Sequence, residues 1–287
     1  IKMTAIIDRI NDTWDIRSFL VVLGLVLSQS AYAVLPSHNA VPGGVAVIPL
    51  GMTGEQKPQV LFGQKPVLVV ADSEGWSAIV GLSQNVIPGK YIITLLDVDE
   101  FHSKKTFRVE PLPSSREQRT ITLPERLRNL DIQALSSDQR KYLDDGIAGS
   151  TTEIKLDFVF RQIVNEGSYI PYGRVLRLKD SQALIDHPWI TYITTVEEII
   201  RSPAPAIVDR IFYSENSGIS VVLRHSSGMK SIINHINETI LKPGEIIESG
   251  DVIGTTRTLE EPAVGRVDWF LLLNGSYIDP LQFTSPS

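Results

Sequence analysis

The chain has 287 residues, of which 43% are hydrophobic and 21% charged; its formal net charge is -6 and it contains no cysteine. The composition is that of a globular protein and excludes a disordered, collagenous or coiled-coil chain, while the length allows about two domains. The acidic charge argues against nucleic acid as a partner. The lack of cysteine excludes disulfides, thiolate metal sites, cysteine nucleophiles and an acylated-cysteine anchor.

The first 33 residues have the pattern of a signal peptide. Nine apolar residues, 19–27, follow Arg17 and precede small residues that end in Ala31-Tyr-Ala33. Such a run is too short for a bilayer, which needs about 20 helical residues, so cleavage before Val34 is expected. Three acidic residues before the run are unusual for a leader, and an uncleaved anchor is the alternative. The sequence predicts a periplasmic or secreted protein.

Residues 34–113 are expected to form a small antiparallel β-sandwich. Short β-branched and aromatic runs are separated by turns that contain glycine. These runs are residues 45–50, 67–70, 76–80, 91–96 and 105–109. A charged stretch, residues 114–166, then predicts a partly helical connector.

Residues 167–287 are again rich in predicted strands. The runs are residues 175–178, 190–194, 206–212, 219–224, 230–234 and 266–273. Many short strands without long helices between them favour an all-β domain over a βαβ domain. The fold class predicted for the whole chain is therefore mostly β.

Five segments in the C-terminal half occur in a characteristic order. They are residues 201–208 (RSPAPAIV), 218–228 (GISVVLRHSSG), 232–237 (IINHIN), 241–254 (LKPGEIIESGDVIG) and 268–280 (DWFLLLNGSYIDP). In this order they resemble the lysostaphin-like, or LytM-type, zinc peptidases, which cut peptidoglycan cross-bridges. The run PGGVAVIPL at 42–50 looks like the N-terminal β-domain of some members. The resemblance implies a C-terminal LytM-like antiparallel sheet of the duplicated hybrid motif type.

The family builds its zinc site from an HxxxD motif and the second histidine of a later HxH motif. The first motif corresponds to His187-Pro-Trp-Ile-Thr191, in which threonine replaces the aspartate. The second corresponds to Gly265-Arg-Val-Asp-Trp269, so Arg266 stands in place of a catalytic histidine and Asp268 in place of the third ligand. The other catalytic histidine of the family matches His235. The resemblance therefore places a degenerate site here.

These replacements predict no zinc cofactor and no catalytic residue. A threonine hydroxyl is a poor zinc ligand, arginine cannot be deprotonated, and a catalytic zinc site usually has three protein ligands. Arg266 and Asp268 are two apart on a predicted strand and share a face, so an ion pair could replace the metal. Arg266→His alone should then not confer zinc binding, because Thr191 is unchanged.

A binding groove is expected at these positions. Its predicted lining consists of His187, Trp189, Thr191, His235, Arg266, Asp268 and Trp269. The two tryptophans could instead be core residues, and the two histidines could be hydrogen-bonded polar residues near the groove. By resemblance to members in which an N-terminal segment occludes the site, residues 111–166 are a candidate cover.

Three functions are compatible with these residues. The first is a catalytically inactive envelope protein that binds peptidoglycan or regulates a cell-wall hydrolase, as degenerate LytM-type domains activate amidases. The alternative is an active zinc endopeptidase with His187 and Asp268 as ligands, with His235 as a further candidate. The third is an adhesion or scaffold protein that neither binds peptidoglycan nor activates an amidase.

Overall fold

The computed structural model describes most of the chain after residue 34. The described ranges are 35–96, 103–113, 120–122, 135–144, 154, 158–177, 184–214, 217–226, 228–259 and 264–284. The predicted signal peptide, residues 1–33, lies outside them. None of the helices in these ranges is both long and apolar enough to cross a membrane.

The described residues form strands with one short α-helix and one 3₁₀ turn. The elements are β1 (Val45–Pro49), β2 (Gln59–Phe62), β3 (Lys65–Pro66), β4 (Leu68–Asp72), β5 (Gly75–Gly81), β6 (Gly89–Leu96), β7 (Ser103–Val109), β8 (Thr120–Thr122), α1 (Ser137–Asp144), β9 (Ser168–Ile170), β10 (Arg174–Arg177), β11 (Leu184–His187), β12 (Ile190–Thr194), β13 (Ile199–Arg201), β14 (Ala206–Ser214), β15 (Gly218–Ser226), β16 (Met229–Ile236), β17 (Ile246–Ile247), β18 (Val252–Thr255), β19 (Arg257–Leu259), β20 (Val264–Leu273), β21 (Ser276–Ile278) and the 3₁₀ turn Pro280–Gln282. The structure confirms the predicted mostly β class.

The N-terminal strands form two small antiparallel sheets. One has the order β1-β5-β4 and the other β3-β2-β6-β7. Apolar residues of both sheets, including Ala46, Val60, Ile93 and Val109, are buried in a common core. Strands β2 and β3 were not predicted, because the turn between them at Gly63 leaves each apolar run very short. The strand-and-turn pattern nevertheless identified β1, β4, β5, β6 and β7.

The C-terminal part is built on a nine-stranded sheet. Its main path has the order β17-β14-β15-β16-β20-β12-β9, with β19 and β21 also paired to β20, and its strand pairs are antiparallel. The long central strand β20 is buried along almost its whole length. Both faces of the sheet centre are therefore covered by other parts of the chain.

The residues of β20 alternate between these two faces. Val267, Trp269, Leu271 and Leu273 belong to the main core, which also contains Ile79 and other residues of the N-terminal strands. Arg266, Asp268, Phe270 and Leu272 point to the other side, as the period of a strand requires. We call this second side the Asp268 face.

Part of the connector lies on the Asp268 face. Leu135, before α1, is packed in a cluster with Leu176, Ile232, Phe270 and other buried residues. Strand β8 adds to this layer by pairing in parallel with β10, which also pairs with β11. The connector therefore contributes a strand as well as the predicted helical segment.

Candidate functional site

Three polar residues form a row across the centre of the nine-stranded sheet. Asn234 of β16 lies opposite Asp268 of β20, and Asp268 lies opposite Thr191 of β12. Directly opposite residues of antiparallel strands place their side chains on the same face. The register therefore brings together residues that are up to 77 positions apart in sequence.

Both carboxylate oxygens of Asp268 are engaged by neighbouring side chains. Arg266 donates from Nε to Oδ1 over 3.1 Å and from Nη2 to Oδ2 over 2.7 Å. Thr191 donates its hydroxyl to Oδ1 over 2.7 Å. Asp268 is fully buried and Arg266 is 2% exposed. The ion pair predicted from the sequence is thus present, in the bidentate geometry that arginine and carboxylate favour.

The charge of Asp268 is stabilised in this buried position. Burial alone would raise the pKa of the carboxyl group, but the charge of the nearby Arg266 guanidinium holds that pKa well below its ordinary value. Asp268 is therefore a carboxylate whose negative charge is balanced inside the protein.

His235 approaches the same carboxylate from β16. Its backbone has a φ of 64°, a left-handed conformation that is uncommon for a residue other than glycine. Its Nε2 lies 3.3 Å from Oδ2 of Asp268, but the angles do not complete a hydrogen bond, so this is a close polar contact. Burial, and then the positive charge of Arg266, lower the pKa of His235. The imidazole is therefore held in its neutral form.

His187 joins the site through Thr191. Its Nε2 is 3.0 Å from the Thr191 hydroxyl, which also accepts a hydrogen bond from Nε1 of Trp189. Its Nδ1 is 3.2 Å from the carbonyl oxygen of Pro171. Burial lowers the pKa of His187 to about 4, and the charge of Asp268 opposes this shift. The neighbouring Asp186 is exposed, as alternation along a strand requires.

Trp269 lies on the opposite face from the other predicted groove residues. Its Nε1 donates to the Ser231 hydroxyl over 3.0 Å, and its ring packs in the main core with Phe160. Trp189 is on the Asp268 face but is also fully buried, with its ring stacked near that of Phe270. Both tryptophans are therefore core residues, and Trp269 does not line the same surface as Asp268.

The arrangement does not fit a catalytic zinc site. A zinc ligand must have a free lone pair, and of the roughly four lone pairs of the Asp268 carboxylate, three already accept hydrogen bonds from Arg266 and Thr191. The remaining lone pair, on Oδ2, faces Nε2 of His235 at 3.3 Å. The guanidinium is always charged and would repel a second cation placed against the same carboxylate. Nor do three His, Cys, Asp or Glu side chains converge as metal ligands anywhere in the described ranges.

Helix α1 covers the Asn234 end of the row of polar residues. Gln139 is 4% exposed, and its Nε2 donates to Oδ1 of Asn234 over 3.3 Å. The same side chain begins the helix, because Gln139 Oε1 accepts from the backbone N–H of Ser136 while Ser136 Oγ accepts from that of Gln139. This is a capping box, which fixes Gln139 both at the helix start and over the site.

A second charged cluster attaches the other end of α1. Tyr142 donates its hydroxyl to Asp209, which also pairs with Lys230 at 2.9 Å and lies 3.7 Å from Arg224. The ammonium group of Lys230 is 4.8 Å from the centre of the Tyr142 ring. Burial opposes the ionisation of Asp209, but hydrogen bonds from Tyr142 and Lys230 keep its pKa below its ordinary value.

The residues that hold this cover were not predicted from the sequence. The spacing Ser136-x-x-Gln139 is a capping-box pattern and could have marked the start of α1. Asp209, Lys230 and Tyr142 carry no such local pattern, because they meet only through the sheet register and the docking of the helix.

Two family profiles match parts of the sequence. The sequence profile of the peptidase family M23 N-terminal domain matches residues 38–111, and that of peptidase family M23 matches residues 186–280. No curated protein sequence matches the chain.

A crystal structure assigned to peptidase M23 from Pseudomonas aeruginosa is similar over most of the chain. Its TM-score is 0.59 at 22% identity, and the match covers 85% of this chain and 94% of the other. At this identity the likeness shows the fold alone.

Two further structures match less of the chain. Csd3 of Helicobacter pylori has a TM-score of 0.37 at 18% identity, covering 45% of this chain and 36% of its own. Lysostaphin of Staphylococcus simulans, described as an antimicrobial peptidase, has a TM-score of 0.30 at 14% identity, covering 34% and 43%. These two scores are too low to support an argument. The two profile matches and the fold together confirm the resemblance seen in the sequence, and the chain belongs to peptidase family M23 as a LytM-type member.

Proposed function

We propose that this protein is a non-catalytic M23 family member of the cell envelope, which binds peptidoglycan or regulates a cell-wall hydrolase. The observation that carries the proposal is the pairing of Asp268 with Arg266 at the family's metal position. A fixed guanidinium supplies the positive charge that a metal would otherwise bring. It provides no open coordination position, so it cannot activate a water molecule.

The family fold supports a binding role. The shape of a groove depends on the β scaffold, whereas hydrolysis depends on a few side chains, so a member can lose its chemistry and keep its recognition surface. Members of this family act on peptidoglycan, which makes the cell wall or an enzyme that cuts it the expected partner. The export that such a role requires is the one predicted from residues 1–33.

The position of α1 adds a condition to this proposal. Gln139 occupies the space above Asn234, so a ligand or partner that uses the Asp268 face must displace the helix. Tyr142→Ala removes the hydroxyl contact to Asp209 and the ring beside Lys230, and it should increase binding. Arg140→Ala is the matched control, because Arg140 is an exposed residue of the same helix.

The first experiment tests catalysis and binding in the same samples. Purified peptidoglycan sacculi are incubated with the chain and zinc, and the soluble fragments and the sedimented protein are both measured. We expect no fragments. Fragment release that a chelator abolishes would instead establish the active zinc endopeptidase.

A parallel assay separates the two binding roles. Sedimentation with sacculi indicates a peptidoglycan-binding protein, whereas stimulation of a cell-wall amidase without sedimentation indicates a regulator. Failure of both, with wild-type protein and with Tyr142→Ala, would favour the adhesion or scaffold function.

A further inference from the structure

A polar cleft lies away from the Asp268 face. It has a volume of about 400 Å³. Its lining residues are Arg161, Gln162, Val164, Asn165, Arg201 and Gly250. The adjacent Ile163 and the lining residue Val164 belong to the main core, which is on the side of the sheet opposite Asp268. The cleft is therefore separate from the site described above.

Two arginine side chains converge in this cleft. Nη1 of Arg201 donates to the carbonyl oxygen of Gly250 over 3.1 Å. Nη1 of Arg161 lies 4.0 Å from the position that a Cβ on Gly250 would occupy. Gly250 has a φ of 92°, so a glycine turn forms the part of the cleft that both arginine side chains approach.

The backbone fixes the positions from which both arginines extend. The N–H of Arg161 donates to the carbonyl of Pro203, and the N–H of Arg201 donates to the carbonyl of Ile163. The two segments therefore run side by side. The backbone of the cleft is therefore held in place, and the bond to Gly250 holds the Arg201 guanidinium, whereas the exposed Arg161 guanidinium has no such bond within the described ranges.

No acidic side chain within the described ranges pairs with either arginine. The acids nearest in sequence to Gly250 are Glu248 and Asp251, and the Asp251 carboxylate accepts from the backbone N–H of Glu248 over 2.8 Å. Each guanidinium therefore keeps N–H donors that no described acidic side chain accepts, and an anion bound in the cleft would accept from both.

We propose that this cleft binds an oxyanion, a phosphate or carboxylate group carried by a polar ligand. The planar fork of a guanidinium matches both groups, because each presents paired oxygens. The carboxamides of Gln162 and Asn165 supply neutral donors and acceptors for the polar remainder of the ligand.

The test is a titration of the whole chain with inorganic phosphate and, separately, with succinate, followed by NMR chemical shifts or calorimetry at about 0.15 M salt, where non-specific surface attraction is screened. Arg161→Gln is the informative variant, because the Arg161 side chain makes no hydrogen bond or ion pair with the rest of the described chain. We expect it to weaken binding by about tenfold or more. Arg140→Gln removes the same charge from α1 and should leave the affinity unchanged.

Arg201→Gln should weaken binding to a similar extent and is a second readout. Saturable binding of phosphate alone would identify a phosphate ligand, and stronger binding of succinate a carboxylate ligand; both support the proposal. No saturable binding of either probe, or an equal loss in Arg161→Gln and Arg140→Gln, would overturn it.

Discussion

Two clusters in this protein contain the same three kinds of polar group, an imidazole, a hydroxyl and an indole N–H, but lie on opposite faces of the nine-stranded sheet. In each, a histidine Nδ1 faces a proline carbonyl, its Nε2 faces a hydroxyl, and that hydroxyl accepts a tryptophan N–H. The main-core cluster consists of His225, Ser231 and Trp269, and the Asp268-face cluster of His187, Thr191 and Trp189.

The main-core cluster satisfies every polar atom with a neutral histidine. The Ser231 hydroxyl accepts from Trp269 and donates to Nε2 of His225 over 2.8 Å, and Nδ1–H of His225 donates to the carbonyl of Pro205 over 3.0 Å. Burial lowers the pKa of His225 to about 4. This cluster is a closed hydrogen-bond network and needs no charge.

The Asp268-face cluster differs because Asp268 is next to it. A carboxylate only accepts, so the Thr191 hydroxyl must donate to Asp268 and cannot donate to His187. The single proton of neutral His187 can then donate to Thr191 from Nε2 over 3.0 Å or to the Pro171 carbonyl from Nδ1 over 3.2 Å, and in either case the other ring nitrogen faces an acceptor; the shorter contact favours the proton on Nε2. The Asp268 carboxylate therefore makes this network depend on the positive charge of Arg266, whereas the main-core network contains no charged group.

The largest loss of stability should come from acidification, which acts on the histidines of both clusters and on His235. The folded-state pKa is about 4 for His187 and His225, against an ordinary value of about 6.5, and the pKa of His235 is also lowered, so on acidification the unfolded chain binds protons that the folded chain does not. Stability should therefore fall with falling pH, by about 1.4 kcal/mol per pH unit for each of His187 and His225 down to about pH 4. Denaturant unfolding at a series of pH values measures this; a flat profile from pH 7 to 5 would contradict it.

Removing the charge of Asp268, which distinguishes the two clusters, should lower the free energy of unfolding slightly less than acidification does. Asp268→Asn removes the carboxylate that pairs with the buried Arg266 guanidinium, and the free energy of unfolding should drop by about 3–5 kcal/mol. Asp209→Asn is the control, because the Asp209 side chain is 20% exposed and water can compensate for the lost charge. Equal losses of unfolding free energy in both variants would show that the buried Arg266–Asp268 pair stabilises the fold no more than the partly exposed Asp209 does.

The hydroxyls of Ser231 and Thr191 should contribute different amounts to the free energy of unfolding. Ser231→Ala leaves His225 and Trp269 each with an unsatisfied polar atom, at a cost of about 1–3 kcal/mol per group. Thr191→Val should cost more, because that hydroxyl also donates to a charged carboxylate. Unfolding of the two variants by denaturant compares them directly, and a larger loss in Ser231→Ala would contradict the expected order.

The smallest effect is a difference in tautomer without a change in stability. We expect His225 to carry its proton on Nδ1, because Ser231 donates to its Nε2. We expect His187 to carry its proton on Nε2, because its contact with the Thr191 hydroxyl, at 3.0 Å, is shorter than that of Nδ1 with the Pro171 carbonyl, at 3.2 Å. Nitrogen-15 NMR of labelled histidine distinguishes the two forms at pH 7. Identical tautomers would remove the distinction between the clusters.

Local pattern predicted much of this architecture. The alternation of strand residues placed Arg266 and Asp268 together, and the structure has them in an ion pair. The same alternation puts Trp269, which directly follows Asp268, on the opposite face from the rest of the predicted groove. The contact between Thr191 and Asp268 depends on a register between distant strands, which no local pattern encodes. The cover by α1 depends on tertiary docking through Tyr142 and Gln139.

Zinc content tests the central claim, that a guanidinium has taken the place of the metal. The chain is exposed to zinc, dialysed and analysed for metal, beside a variant that restores the family pattern through Thr191→Asp, Arg266→His and Asp268→His. We expect no retained zinc in the wild-type protein and in Arg266→His, and about one zinc per chain in the triple variant if it folds. Retention of about one zinc per chain by the wild-type protein would contradict the account, whatever the variants do.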